Sequence, residues 1–139
     1  MLCNEIMTTN PEFCLPSDPV MKAAQLMKSQ DVGPIPIVED KNNKKLTGIV
    51  TDRDLAIKIV AEARDPKTTR VKDVMTDDVV TCKENEDVNK ALKLMQDYQV
   101  RRLPVVDTGD HLLGIIAQAD VATRLGSRTT GKVVEQVSK

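Results

Sequence analysis

The chain repeats itself, and this constrains its fold more than any other feature. Met7-Thr8 recurs as Met75-Thr76, an offset of 75 − 7 = 68 residues. Carried along residues 7–38 against 75–106, that offset gives eleven identities in 32 positions: Met7, Thr8, Cys14, Val20, Lys22, Ala23, Leu26, Met27, Val32, Pro36 and Val38. The loop that follows is two residues shorter in the second copy. With the offset reset to 66, Leu46-Thr47-Gly48-Ile49-Val50 falls on Leu112-Leu113-Gly114-Ile115-Ile116, and Asp54 falls on Asp120. The 139 residues are therefore two copies of one unit of about 60 residues. A unit that small buries its apolar faces poorly by itself. The two copies are expected to pack on each other about a pseudo-twofold axis.

Both copies predict the same order of elements. A short strand comes first, Glu12–Leu15 and Val79–Cys82. A helix follows, started by Ser17-Asp18-Pro19 and by Asn85-Glu86-Asp87. Its apolar stripe is Val20, Ala23, Ala24, Met27 in one copy and Val88, Ala91, Leu92, Met95 in the other, the i, i+3, i+4, i+7 spacing of one helix face. Two β runs joined by a turn come next, Ile35–Val38 with Leu46–Val50 and Leu103–Val106 with Leu112–Ile116. A second helix closes each unit, about Asp52–Ala63 and Gln118–Leu125, with Gly126 suited to stop the latter. The expectation is an α/β architecture of two β-α-β-β-α repeats, residues 5–64 and 71–126, with a linker at 65–70 and a polar tail at 127–139.

Composition narrows the function. Hydrophobic residues make up 40% and charged residues 29%, the balance of a globular protein. Aromatics are 1%, which excludes a base-stacking surface for single-stranded nucleic acid. The net charge is −1 and no long Lys/Arg run supplies a basic patch, so no nucleic-acid partner is expected. No apolar stretch approaches a membrane span and no secretion signal is evident, so the expected location is cytoplasmic, with no membrane partner. The three cysteines are scattered and carry no Cys-x-x-Cys motif, which fits reduced thiols.

Enzyme machinery is not apparent, and no catalytic or metal-ligating residue is assigned. The single histidine, His111, lies in a β run beside a turn and has no counterpart in the other copy. Cys14 and Cys82 occupy equivalent strand positions and read as small buried hydrophobes. The segment Gly48-Ile49-Val50-Thr51-Asp52-Arg53-Asp54 lies where a strand ends and a helix begins. Free backbone N–H groups and the positive helix end make such a junction an anion and sugar site. Asp54 can accept hydrogen bonds from two vicinal ribose hydroxyls, and Arg53 can neutralise phosphate. Equally, Thr51-x-x-Asp54 is a capping box. The second copy reads Ala117-Gln118-Ala119-Asp120, where Ala117 cannot cap and the acid is still present. In Val100-Arg101-Arg102-Leu103-Pro104, and in Ile35-Pro36 of the first copy, apolar residues beside a strand proline can wall a flat base, and Arg101 and Arg102 can meet phosphates. The alternatives are prolines that only mark strand starts and arginines that form surface ion pairs.

The doubled pattern of Met-Thr, a helix, Pro-hydrophobic-Val-acid and then Gly-Ile-Val-Thr-Asp-Arg-Asp resembles a tandem pair of cystathionine-β-synthase (CBS) domains, a Bateman module, over about residues 5–126. The resemblance implies a homodimeric module that requires no cofactor and binds an adenosine-containing ligand in clefts between the repeats. That ligand is AMP, ADP or ATP, with S-adenosylmethionine or NAD(H) in some members. It implies that Thr51 and Asp54 match the ribose-binding Thr-x-x-Asp and that Asp120 is the second ribose acid. Ala117 departs from that pattern. Ile35-Pro36 and Leu103-Pro104 match the strand bordering adenine, and Arg53, Arg101 and Arg102 are the phosphate candidates. The expected function is a sensor of adenine nucleotides rather than an enzyme; the alternative is a protein-interaction module without a small ligand.

Overall fold

The computed structural model describes residues 1–125, so the tail expected at 127–139 and the stop at Gly126 lie outside the described residues. The elements run β1 (Thr8–Thr9), α1 (Val20–Gln30), β2 (Pro34–Val38), β3 (Leu46–Thr51), α2 (Asp52–Leu55), β4 (Cys82–Lys83), α3 (Val88–Tyr98), β5 (Arg102–Val106), β6 (Leu112–Ala117) and α4 (Gln118–Leu125). The fold is mixed α/β. It divides into two compact units, Glu12–Val79 and a second made of Met1–Pro11 with the described residues from Val80 onward.

These units are out of phase with the sequence repeat. The first Met-Thr pair joins the sheet of the second copy, with Thr8 opposite Ile115 and Thr9 opposite Gly114. The second Met-Thr pair joins the first copy through an antiparallel bridge between Thr76 and Ile49. Glycine is required at both contacts. A Cβ on Gly114 would lie 2.7 Å from the Thr8 carbonyl oxygen, and one on Gly48 would lie 3.0 Å from the Thr76 carbonyl oxygen. The motifs Met-Thr and Gly-Ile thus recur together because one packs across the other.

In the unit 12–79, β2 and β3 form an antiparallel pair with Ile35 opposite Val50 and Pro36 opposite Ile49. Cys14, Val20, Ala23, Ile35, Ile37, Val50, Ile59, Val71 and Val74 form its core. The strand expected over Glu12–Leu15 is reduced to one parallel bridge, Cys14 with Ile37. Pro11 and Pro16 bracket it and cannot donate to a ladder. The second helix is also shorter than the expected Asp52–Ala63. The α-helical turn of α2 gives way at Ala56–Val60 to a π-helical turn, closed by Ala61 N–H donating to the Ala56 carbonyl at 2.9 Å. The wider turn puts Ile59 in the core and leaves Ile57 and Val60 facing out.

The other unit carries a four-stranded sheet in the order β1-β6-β5-β4, antiparallel except for β4 beside β5. Its first strand falls at Cys82–Lys83 rather than Val79–Cys82. All four stripe residues of α3, Val88, Ala91, Leu92 and Met95, are buried against this sheet with Leu103, Val105 and Ile116. Asp87 caps α3 by accepting from Asn89 N–H at 2.9 Å. Helices α1 and α3 both end at a left-handed residue, Asp31 and Gln99, related by 99 − 31 = 68. The duplication therefore extends to the backbone.

Candidate functional site

Each unit builds one strand-to-helix junction on its own. In the unit 12–79, β3 runs directly into α2, and Thr51 occupies the cap. Thr51 Oγ1 accepts from Asp54 N–H at 3.2 Å, while Asp54 Oδ2 accepts from Thr51 N–H at 2.9 Å and from its hydroxyl at 3.1 Å. The capping box is therefore formed. Asp54 is half-buried, and its Oδ1 pairs with Lys58 Nζ at 3.3 Å, one turn along the helix. Lys58 also donates to the Val74 carbonyl at 2.8 Å. Asp54 is thus fixed in orientation from both sides. Arg53 is exposed beside it.

The second unit places the same junction at β6 and α4, with Asp120 half-buried in the first turn. Here a cleft of about 480 Å³ is lined by Arg101, Arg102, Ala117, Gln118, Ala119 and Ala122. Gln118 N–H donates to the Arg101 carbonyl at 2.9 Å, which holds the residue before β5 beside the helix start. The same bond joins Asp52 N–H to the Gly33 carbonyl at 3.1 Å in the other unit. The duplicated frame therefore presents glycine at one junction and arginine at the other.

The structure brings Thr51, Arg53 and Asp54 together at one helix start. It brings Arg101 and Arg102 to the cleft wall beside the helix that carries Asp120. Ile35 and Leu103 are placed differently: they are 2% and 1% exposed and lie in the two cores, and Pro36 and Pro104 are buried as well. Two contributors escaped sequence reasoning. Lys58 was signalled only by its i,i+4 spacing from Asp54. Ala119 and Ala122 were silent because an alanine that lines a cleft looks like any helix alanine. Among the described residues, no group of three or more His, Cys, Asp or Glu side chains is placed to hold a metal ion, and no helix is long and apolar enough to cross a membrane.

A family model, the CBS domain, matches this chain twice, over residues 3–61 and 71–127. The chain belongs to the CBS-domain family. The CBS domain-containing protein YhcV of Bacillus subtilis is 36% identical over 135 residues, covering 96% of this chain and 93% of that protein. A crystal structure of Hypoxic Response Protein I with two coordinated zinc ions superposes with a TM-score of 0.81 at 31% identity, covering 91% of this chain and 100% of that one. The CBS domain pair of protein MJ0100, solved in complex with 5′-methylthioadenosine and S-adenosyl-L-methionine, gives a TM-score of 0.76 at 28% identity, covering 93% and 98%. Other CBS relatives are longer: the chain spans 53% of the length of an uncharacterised protein of Methanopyrus kandleri to which it is 37% identical. This chain is a tandem CBS pair, a class of regulatory ligand-binding modules.

Proposed function

We propose that this CBS pair is a non-enzymatic sensor of an adenine nucleotide, with AMP, ADP or ATP as its ligand, and that Asp54 and Asp120 bind ribose. The observation that carries the reading is the cleft at the start of the helix that carries Asp120, walled by two arginines. A vicinal diol donates two hydrogen bonds, and a carboxylate at a helix start is an acceptor that needs no reorganisation. Arg101 and Arg102 supply the charge that phosphate requires and oppose the sulfonium cation of S-adenosylmethionine. That preference favours a phosphorylated ligand over the pair bound by MJ0100, although the adenosine part is common to all of them. A ligand acts on such a module by binding one arrangement better than another.

Calorimetric titration of AMP, ADP and ATP tests this. Asp120→Ala is expected to weaken binding at least tenfold, because each charge-assisted hydrogen bond contributes about 1.5–3 kcal/mol and 1.4 kcal/mol is a factor of ten. Arg102→Ala is expected to weaken the nucleotides while leaving any affinity for uncharged adenosine unchanged. Asp54→Ala reports on the other junction, and it also removes a cap, at about 0.5–2 kcal/mol of stability. Unaltered nucleotide affinity in both aspartate variants contradicts the ribose assignment.

A homodimer is part of the proposal. In the unit 12–79 an apolar groove of about 300 Å³ includes Val20, Met21, Ala24, Leu55, Ile59 and Val60, and Val60 is 76% exposed. Such a surface supports self-association. Val60→Glu is expected to convert a dimer into a monomer in sedimentation equilibrium with folding retained. A parent protein that sediments as a monomer overturns this part.

A further inference from the structure

The duplication has one chemical irregularity. By the offset of 68, Cys14 corresponds to Cys82 and Cys3 to Val71. The backbone frame around each pair is the same. Val71 N–H donates to the Asp18 carbonyl at 2.8 Å and Lys72 N–H to the Pro16 carbonyl at 3.0 Å; Cys3 N–H donates to the Glu86 carbonyl at 2.9 Å and Asn4 N–H to the Glu84 carbonyl at 3.0 Å. Val71 and Cys14 share one core, and Cys3 and Cys82 share the other. One unit thus seats a valine near a thiol where the other seats two thiols in one core, and the bonds from Cys3 and Asn4 hold the Cys3 segment against the turn that follows Cys82. Packing does not require the second sulfur, since valine fills the equivalent slot.

We infer that Cys3 and Cys82 form a reversible intramolecular disulfide that locks the amino-terminal segment onto the unit built from residues 80 onward. Both thiols are buried, at 0% and 1% exposure. The segment 1–11 is nevertheless joined to the sheet through the exposed two-residue β1, and segments held by so few strand bonds open locally at low cost. The neighbouring Cys82 thiol holds the Cys3 thiol below its usual range, and Cys3, carried on the segment that opens, is the thiol that meets the oxidant first. The neighbouring Cys3, with burial, pushes Cys82 up, and Cys82, held in β4 of the sheet, follows as the resolving thiol. Cys14, which burial pushes up to about 11, stays out of the exchange.

The oxidant is a low-molecular-weight disulfide. The Cys3 thiolate, having given its proton to solvent, attacks one sulfur of that disulfide and expels the other half as a thiolate. Cys82 then loses its proton, attacks the Cys3 sulfur and expels the second half. Two protein thiols become one disulfide, and one small disulfide becomes two small thiols. The linked positions lie 82 − 3 = 79 apart in sequence, and the closed loop contains β1, which pairs with the strand leading into the Asp120 junction.

The test is incubation of the full chain with oxidised glutathione, then alkylation in denaturant and peptide mapping without reductant. The expected result is a Cys3–Cys82 linked peptide with Cys14 alone alkylated, a melting temperature several degrees above that of the reduced protein, and reversal by dithiothreitol. Cys3→Val introduces the residue that the other unit already carries at this place, so it is expected to fold and to show no oxidation-dependent shift. Three alkylated cysteines after incubation, or glutathione retained on Cys3, overturns the inference.

Discussion

Leu92→Ala is expected to lower the stability of the protein by about 2–5 kcal/mol, read as a fall in the midpoint of urea or thermal unfolding. Leu92 is 1% exposed and sits in the middle of the α3 stripe, between Val88 and Met95 and against the sheet residues Leu103 and Ile116. Truncation removes its transfer free energy and leaves a cavity that a sheet-backed helix closes poorly. Set against a typical total of about 5–15 kcal/mol, this is a large fraction of what holds the fold. Lys93, the next residue, is 74% exposed and pairs with Asp97 at 3.2 Å on the solvent face. Lys93→Ala is expected to change stability by no more than about 0.5 kcal/mol. Similar losses in the two variants would contradict the placement of the α3 stripe.

Gly114→Ala is the second large effect, expected at about 1–3 kcal/mol from overpacking alone. The added Cβ would lie 2.7 Å from the Met7 sulfur and 2.7 Å from the Thr8 carbonyl oxygen. The thioether can swing aside, whereas the carbonyl is backbone and belongs to β1. The strain is therefore expected to separate β1 from β6, with faster amide exchange over residues 1–11 than over α3. Removing the flexible obstacle does not relieve the clash, so Gly114→Ala combined with Met7→Ala is expected to be no more stable than Gly114→Ala by itself. Gly48→Ala is expected to cost less, because its Cβ would meet the Thr76 carbonyl at 3.0 Å. Equal protection of residues 1–11 in the parent and in Gly114→Ala contradicts this reading of the glycine.

The sequence made the repetition legible, and with it most of the element order. Identities at an offset of 68, reset to 66 after the shorter loop, carried the helices, the β pairs and the equivalence of Asp54 with Asp120. The exchange of the Met-Thr segments was not legible. A two-residue strand such as β1 carries no periodicity that names its partner, and the glycines opposite it signal only a close approach. The π-helical turn after α2 was hidden for a related reason, since Ala56–Val60 has an ordinary helical composition. At the site, the Thr51–Asp54 cap was legible from its spacing, because capping is a local bond. The cleft was legible only in part: Arg101 and Arg102 stood out as charges, but the contribution of Ala119 and Ala122 depends on what surrounds them. The burial of Ile35 and Leu103 was equally unreadable, because a strand residue beside a proline can face either side.

The proposed binding of an adenine nucleotide by this CBS pair is open to direct measurement by thermal unfolding of the pure protein against AMP, ADP, ATP, S-adenosylmethionine and NADH. At 100 times its dissociation constant a ligand adds about 2.7 kcal/mol, which raises the melting temperature by several degrees for a chain of this size. Such a shift is expected with at least one of AMP, ADP or ATP, larger than that given by S-adenosylmethionine, and is expected to be lost in the Asp54→Ala, Asp120→Ala double variant. A folded protein, shown to be free of co-purified nucleotide, whose melting temperature none of the three nucleotides moves would contradict it.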